Sequence, residues 1–374
     1  MAEIRKALII GGGIAGMSAA IALREAGLTV ELCDQDPQWR VYGAGITITG
    51  PTLRAMGRLG ILDAVLEHGY TADGIDICSA DGKPLFNIDT RNDALGDIPT
   101  AGGILRPVLH RIMSERLLAL NPVVMLGVTV ETIEWHGDLA TVRFSNGGTA
   151  TYDLVVGADG IYSRTRQQMF ETAPVPRYAG QMCWRLMMER HPSIVRRTFF
   201  LGGPAKVGLN PVAQDQMYMF YLEAQPEPVW REEADQHVVL GDLLRSYGGV
   251  LSEIAQDLGP NSNIICRPLE TVLAGETWVR ANTVLIGDAA HATTPQLASG
   301  AGMGIEDGLV LGEEIAREAH VPTALQNFMQ RRYARCKLVV DSSLEISRLE
   351  RERASPQAQT AVVEKALAVL NEEF

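Results

Sequence analysis

ALIIGGGIAGMSAAIALREAGLTVELCD, residues Ala7–Asp34, decides how the rest of the chain is read. Ala7–Ile10 is a short apolar run of the kind buried in a parallel sheet. An alanine-rich helix follows the glycines and stops at Gly27, and Leu28–Cys33 forms a second strand that ends at Asp34. Within this βαβ unit, Gly11 permits a tight turn, Gly13 lets the backbone approach a pyrophosphate, and Gly16 lets helix pack closely on strand. The helix N-terminus supplies a positive end for phosphates, and Asp34 is an acceptor for a ribose hydroxyl. Dinucleotide binding follows from this, and the motif alone leaves NAD and FAD equally open.

Composition narrows the class. The 374 residues are 46% hydrophobic and 21% charged, which describes an ordinary globular chain. The net charge of −12 argues against a nucleic-acid coat protein but leaves room for a local basic pocket. Cys33, Cys78, Cys183, Cys266 and Cys336 lack metal-ligand spacing, so no metal is expected. The apolar run Ala7–Leu23 is too short and glycine-broken for a membrane span, and a cytoplasmic protein is the expectation.

Farther out, a second glycine-bearing loop runs from Trp39 to Ile46, followed by a helix from Pro51 to about Leu66. Ile75–Ile88 reads as short strands about the turn Ala80–Lys83, and Asp89–Gly103 as an irregular connection. Leu105–Leu120 has helical periodicity with Arg106 at its start. Val123–Val130, Glu131–Trp135 and Thr141–Phe144 read as an antiparallel set with a hairpin at Asn146-Gly147-Gly148. Residues 177–278 carry short alternating runs, including Thr198–Leu201 and Met217–Leu222, and a helix near His237–Tyr247. The end of the chain is helical over Phe328–Leu338 and Ser343–Arg353.

Near the end of the nucleotide-binding unit comes TVLIGDAAHATTPQLASGAGMGIEDG, Thr283–Gly308. Asp288 ends an apolar strand, where an unpaired charge is costly. Pro295 stiffens the loop, and Gly300, Gly302 and Gly304 leave backbone N–H groups uncovered at a helix start. A plain strand-to-helix crossover is the competing account of this stretch.

GGGIAG with Asp34, VVGADGIYSRTR at Val155–Arg166 and LIGDAAHATTP at Leu285–Pro295 stand in order. Together with Gly43–Ile46 and the Arg106 helix, they resemble the single-component (group A) FAD-dependent aromatic hydroxylases over residues 7–340. The resemblance implies a mixed α/β fold: a Rossmann-like FAD-binding domain of the glutathione-reductase type, an inserted, mostly antiparallel substrate domain, and C-terminal helices. The expected divisions are 1–70, 104–175 and 279–320 for FAD, 71–103 and 176–278 for substrate, and 321–374 for the helices.

It also implies an FAD- and NAD(P)H-dependent monooxygenase, in which reduced flavin captures O2 as a C4a-hydroperoxide and hydroxylates a small phenolic or N-heteroaromatic compound. A dehydrogenase or reductase without oxygen insertion and a non-catalytic redox sensor are the alternatives, and the chain is expected as monomer or homodimer.

Carried over by position, Gly11, Gly13, Ala15, Gly16, Asp34, Gln35, Ala44 and Gly45 belong to the cofactor site. So do Arg106, the Val130 backbone, Asp159, Asp288, Gly300 and Ala301, with Pro295 beside the reactive ring. Asp159 has a second reading as a simple turn stabiliser. His291 is assigned no chemistry. Relatives carry glycine where this chain has Ala298, which requires a negative φ there.

On the substrate side, Tyr218 and Phe220 alternate with Met217, Met219 and Tyr221, so one set faces the pocket. Tyr218 falls at an active-site tyrosine of the urate hydroxylase, or is a core tyrosine, and Lys206 falls at that enzyme's arginine. Loss of that planar donor argues against urate itself. Arg185 is placed to pair an acidic group of the substrate or to form a structural ion pair.

Overall fold

The computed structural model describes residues 5–41, 43–92 and 95–374; Tyr42 of the second glycine-bearing loop and Asp93-Ala94 of the expected irregular connection lie outside them. Strands Val279–Arg280, Thr283–Leu285, Leu154–Gly157, Lys6–Ile10, Thr29–Asp34 and Val123–Leu126 form one sheet in that order. All neighbours run parallel except the Val279–Arg280 pairing. Val123–Leu126 is therefore the edge of the nucleotide sheet rather than part of the antiparallel set expected for it. That set consists of Val130–His136, Leu139–Phe144 and Thr149–Tyr152, with the Asn146–Gly148 hairpin in place.

The first strand is buried on both faces. Ala7 and Ile9 point into the core shared with helices Ile14–Glu25 and Gly300–Arg317, while Leu8 and Ile10 pack under the three-stranded antiparallel layer. This explains why the strand reads as continuously apolar rather than alternating. The two helices cross closely: a Cβ on Gly308 would come within 2.5 Å of the Ala19 nitrogen, and one on Gly312 within 2.7 Å of Ala22 Cβ.

A seven-stranded sheet stands against this unit, ordered Asn263–Thr271, Arg177–Glu189, Gln216–Ala224, Lys206–Pro211, Thr198–Leu201, Ile75–Ser79 and Pro84–Ile88. Its pairings are antiparallel except between Thr198–Leu201 and Ile75–Ser79. Met217, Met219 and Tyr221 bury the rear face with Leu240, Leu244 and Leu251 from helices Glu233–Leu244 and Val250–Asp257. The first of these starts and ends earlier than the His237–Tyr247 helix expected, and the second was not expected at all.

Ala101–Leu105, expected as part irregular connection and part helix, is instead a strand between Gly45–Thr49 and Tyr70–Thr71. The helix expected over Pro51–Leu66 is two, Gly50–Arg58 and Leu62–His68, because Gly60 turns the chain at φ +76°. Conversely, the two C-terminal segments are one 31-residue helix, Val321–Arg351, followed by Pro356–Asn371.

Candidate active site

A cavity of about 670 Å³ lies between the carboxyl ends of the parallel strands and the front of the seven-stranded sheet. Ligands of open α/β sheets bind in such a crevice. From the nucleotide unit come Gly13–Ala15, Arg106, Gly160–Tyr162, Gly287-Asp288 and the Pro295–Ala301 loop; Gly45 and Thr47 come from the small sheet.

The glycines of the first turn separate by purpose. Gly11 has φ +105°, and a Cβ there would approach Ala158 O to 2.4 Å; one on Gly16 would reach Gly11 O at 1.9 Å. Protein packing accounts for both. A Cβ on Gly13 would meet nothing within 4 Å, so the space over this helix start is left for a ligand. Asp34 braces the turn, accepting from Gly12 N–H at 2.7 Å and Asp36 N–H at 2.8 Å. Trp39 donates from Nε1 to Gly12 O at 2.9 Å.

On the nucleotide side of the wall, Asp288 and Arg106 have no salt bridge among the described residues. No protein group among the described residues donates a hydrogen bond to Asp288, which lines the cavity. Burial raises its carboxyl above the usual range, against the offsetting charges of His291 and Arg106. Arg106 begins helix Arg106–Leu118, so its cation sits at the positive end of that helix. Burial, and then the neighbouring charge of Arg185, push its guanidinium down. An acceptor in need of hydroxyls and a cation in need of an anion suit the ribityl and phosphate parts of FAD. The open face at Gly13 fits the same group.

Of the other expected cofactor residues, Ala15, Gly45, Gly300 and Ala301 line the cavity. Gly11, Gly16, Asp34, Gln35, Ala44, Val130 and Asp159 stand outside its wall. Asp159 accepts from the Ser163 hydroxyl and from Thr165 N–H at 2.9 Å. It thereby holds the turn into helix Arg164–Met169.

After the 3-10 turn Pro295–Leu297, Ala298 adopts φ +50°, ψ +30°, contrary to the negative φ expected of an alanine. The 18-residue helix Gly300–Arg317 then begins with Gly300 and Ala301 facing the cavity. Gly302 is no part of that wall; a Cβ there would strike Thr52 Oγ1 at 2.3 Å.

Beneath the loop, His291 Nε2 lies 2.6 Å from Asp307 Oδ2, which also accepts from Gly287 N–H at 2.8 Å. Arg332 donates to Asp307 at 2.8 Å and Glu306 at 2.6 Å, and Arg335 donates to Glu306 at 2.8 Å. His291, Asp307 and Cys336 bring three potential metal-ligand atoms within 4.8 Å, an arrangement invisible in their spacing. The fixed cation there is Arg332, which reaches both Asp307 and Cys336.

On the sheet side, Tyr218, Phe220 and Leu222 face the cavity, as the alternation predicts. Asn210 Nδ2 donates to Tyr218 Oη and Thr47 Oγ1, both at 2.8 Å, and those hydroxyls lie 2.5 Å apart. Gly45 packs on the Tyr218 ring; a Cβ there would fall 2.7 Å from Cδ1.

Arg185 lines the wall without a salt bridge among the described residues. Lys206 lines it too, with its ammonium held by Glu350 Oε1 at 2.8 Å. Glu350 also accepts from Gln296 and Gln181, both at 3.2 Å. Thr47, Phe199, Arg197 and Asn210 are wall residues that the sequence reading missed. Strand alternation over 206, 208 and 210 is the signal that points to Asn210.

The FAD binding domain family matches residues 5–343. A Bacillus subtilis (strain 168) protein provisionally named FAD-dependent monooxygenase YetM is 32% identical over 370 residues, covering 98% of this chain and 99% of that protein. The aurachin C monooxygenase/isomerase of Stigmatella aurantiaca is 30% identical over 91% of this chain and 88% of its own length. The crystal structure of Klebsiella pneumoniae HpxO complexed with FAD and uric acid superposes with a TM-score of 0.82 at 24% identity. It covers 99% of this chain and 93% of that one and shows the shared fold. With a cavity built to take FAD and the family match spanning most of its length, the chain belongs to the FAD binding domain family and is an FAD-dependent monooxygenase of the group A aromatic-hydroxylase type.

Proposed function

We propose that the enzyme uses NAD(P)H and O2 to hydroxylate a small phenolic or N-heteroaromatic ring bound on the front of the seven-stranded sheet. The observation that carries this reading is the Thr47–Tyr218–Asn210 cluster, set in one cavity with the Pro295–Ala301 loop. Relatives named for a quinolone and for urate support a flat, electron-rich ring as the substrate class. FAD, when bound, would carry electrons from the nicotinamide coenzyme to dioxygen, one atom of which passes to the ring.

The chain's residues hold and activate that ring. Asn210 donates to both hydroxyl oxygens, so Tyr218 and Thr47 share one hydrogen bond between them and keep one O–H for the ligand. That proton position is suited to orient a ring hydroxyl and to relay its proton as the ring becomes electron-rich. Phe199 and Phe220, edge to face with centroids 6.0 Å apart, give the ring an apolar wall that excludes water. The N–H groups of Gly300 and Ala301, at a helix N-terminus, stabilise negative charge on the cofactor side.

The test is NAD(P)H oxidation by the FAD-loaded protein against phenols, hydroxypyridines, quinolones and purines, with peroxide measured alongside. A substrate speeds oxidation without releasing peroxide. With that substrate, Tyr218→Phe lowers product formation roughly 100-fold, and retention within about threefold removes Tyr218 from the chemistry. If every compound leaves oxidation unchanged or yields only peroxide, the hydroxylase reading is lost.

A further inference from the structure

The seven-stranded sheet ends at Pro84–Ile88, an edge strand with no neighbour on its outer side among the described residues. Leu85, Phe86 and Ile88 are 53%, 56% and 42% exposed, so most of this strand is large apolar side chain standing in water. Single exposed apolar residues are ordinary, but a run of them on an open sheet edge is a template for another strand. Charge commonly blunts such edges. Here the charges flank the strand instead of interrupting it: Asp81 and Lys83 precede it, and Asp89 and Arg91 follow.

The backbone is open to pairing from Phe86 onward. Asp76 donates its N–H to Arg197 O at 2.8 Å, away from the edge. Strand alternation then turns Ile75 and Ile77 towards their register partners Ile88 and Phe86, and leaves the N–H and C=O of Asn87 pointing outward. The bulge in this pairing falls at Ile77/Cys78, beside the Pro84 end, and leaves Phe86–Ile88 in regular register.

The flanking charges select the strand that fits. Lys83 and Asp89 are equidistant in sequence from Phe86, and so are Asp81 and Arg91. When two copies pair antiparallel about a twofold axis at Phe86, Lys83 of each stands opposite Asp89 of the other, and Asp81 opposite Arg91. Within one chain, Lys83 pairs with Asp81 at 2.7 Å and Arg91 with Asp89 at 2.6 Å, and all four side chains are more than half exposed. Bringing two copies together joins these pairs into an alternating network of charges at each end of the strand. Phe86, whose backbone turns inward, meets its own copy at a position without hydrogen bonds, where facing side chains come closest. The stretch Asp81–Arg91 carries no net charge in a chain of −12, so repulsion between copies is weakest there.

We propose that the protein self-associates through this edge. Two copies pair Pro84–Ile88 antiparallel with Phe86 on the twofold axis, and one seven-stranded sheet continues into the other. No residue of the strand lines the cavity, so the interface is independent of the hydroxylase reading. A five-residue strand makes a small contact, and the dimer is reversible and concentration-dependent.

The test is sedimentation equilibrium of the FAD-loaded full chain from about 1 to about 100 µM. Wild type dimerises with a Kd on the order of 10 µM. Phe86→Asp weakens the dimer at least about tenfold. Lys83→Glu and Asp89→Lys each weaken it about tenfold, because each sets like charges opposite one another at both ends. The double variant Lys83→Glu/Asp89→Lys returns to within about threefold of wild type, and an equimolar mixture of the two single variants forms dimers that neither forms alone. FAD content and NAD(P)H oxidation are unchanged throughout.

Wild type that stays monomeric up to about 100 µM leaves the edge to a strand of a different protein and overturns the proposal. A dimer of unchanged affinity in Phe86→Asp places the interface elsewhere and overturns it equally. If each single charge reversal weakens the dimer and neither the double variant nor the mixture restores it, the pairing about Phe86 is wrong.

Discussion

Ala298 is held at φ +50° between a 3-10 turn and the helix that starts at Gly300, in the wall of the cavity. An L-residue in this region carries backbone strain, and only its surroundings can enforce it. Glycine relieves that strain at the cost of a freer unfolded chain, so Ala298→Gly should raise unfolding free energy by up to about 1 kcal/mol in urea titrations. A comparable loss instead would mean that the methyl packs productively.

At this scale the sequence is legible where one residue type meets one backbone need, as at Gly11, where any side chain would strike Ala158. It is illegible where a partner is remote. Nothing near Lys206 announces Glu350, 144 residues away, and nothing in the loop announces that His291 meets Asp307. For the same reason Arg185 was visible as a candidate, but its lack of a carboxylate was not.

Among elements, the decisive contact is helix Gly300–Arg317 against helix Val321–Arg351. Glu306 and Asp307 on the first meet Arg332 and Arg335 on the second, out of reach of water, and Asp307 also ties down Gly287 and His291. This network fixes the strand end that carries Asp288. It also explains why the long helix reads as two: its buried face includes Arg332, Arg335, Ser343 and Ser347, which interrupt the apolar period. Val123–Leu126 was misassigned because apolar runs do not state whether their partner strand is parallel.

The network carries a pH signature. Burial opposes charge on His291, but Cys336 and then the adjacent Asp307 carboxylate raise its pKa well above the ordinary value. A raised folded-state pKa gives stability that is fully present below the unfolded pKa and is lost as pH rises through the folded one. Replacing His291 with Gln should therefore cost about 3 kcal/mol near pH 6, with the gap from wild type narrowing in alkaline solution. A gap that widens with pH in urea unfolding would mean that the imidazole is neutral.

Across the whole molecule, the cavity joins two halves whose legibility differs. The nucleotide half rests on backbone geometry, which glycine and proline spacing encodes directly, so its three motifs name the cofactor side. The sheet half presents side chains from strands brought together over long separations; Arg185, Arg197, Asn210 and Tyr218 share one wall without sharing a motif. Sequence alternation can give the facing set, while charge balance inside the cavity emerges only from the assembled fold. A chain of net charge −12 that encloses a cationic pocket is an example.

This cavity delivers an oxygen atom from dioxygen to an aromatic ring. The most direct measurement is the product mass after turnover of the FAD-loaded enzyme with NAD(P)H and its best substrate under oxygen-18 gas. Each product molecule should carry one heavy oxygen atom. Product free of the label, with the consumed dioxygen recovered as peroxide, would contradict it.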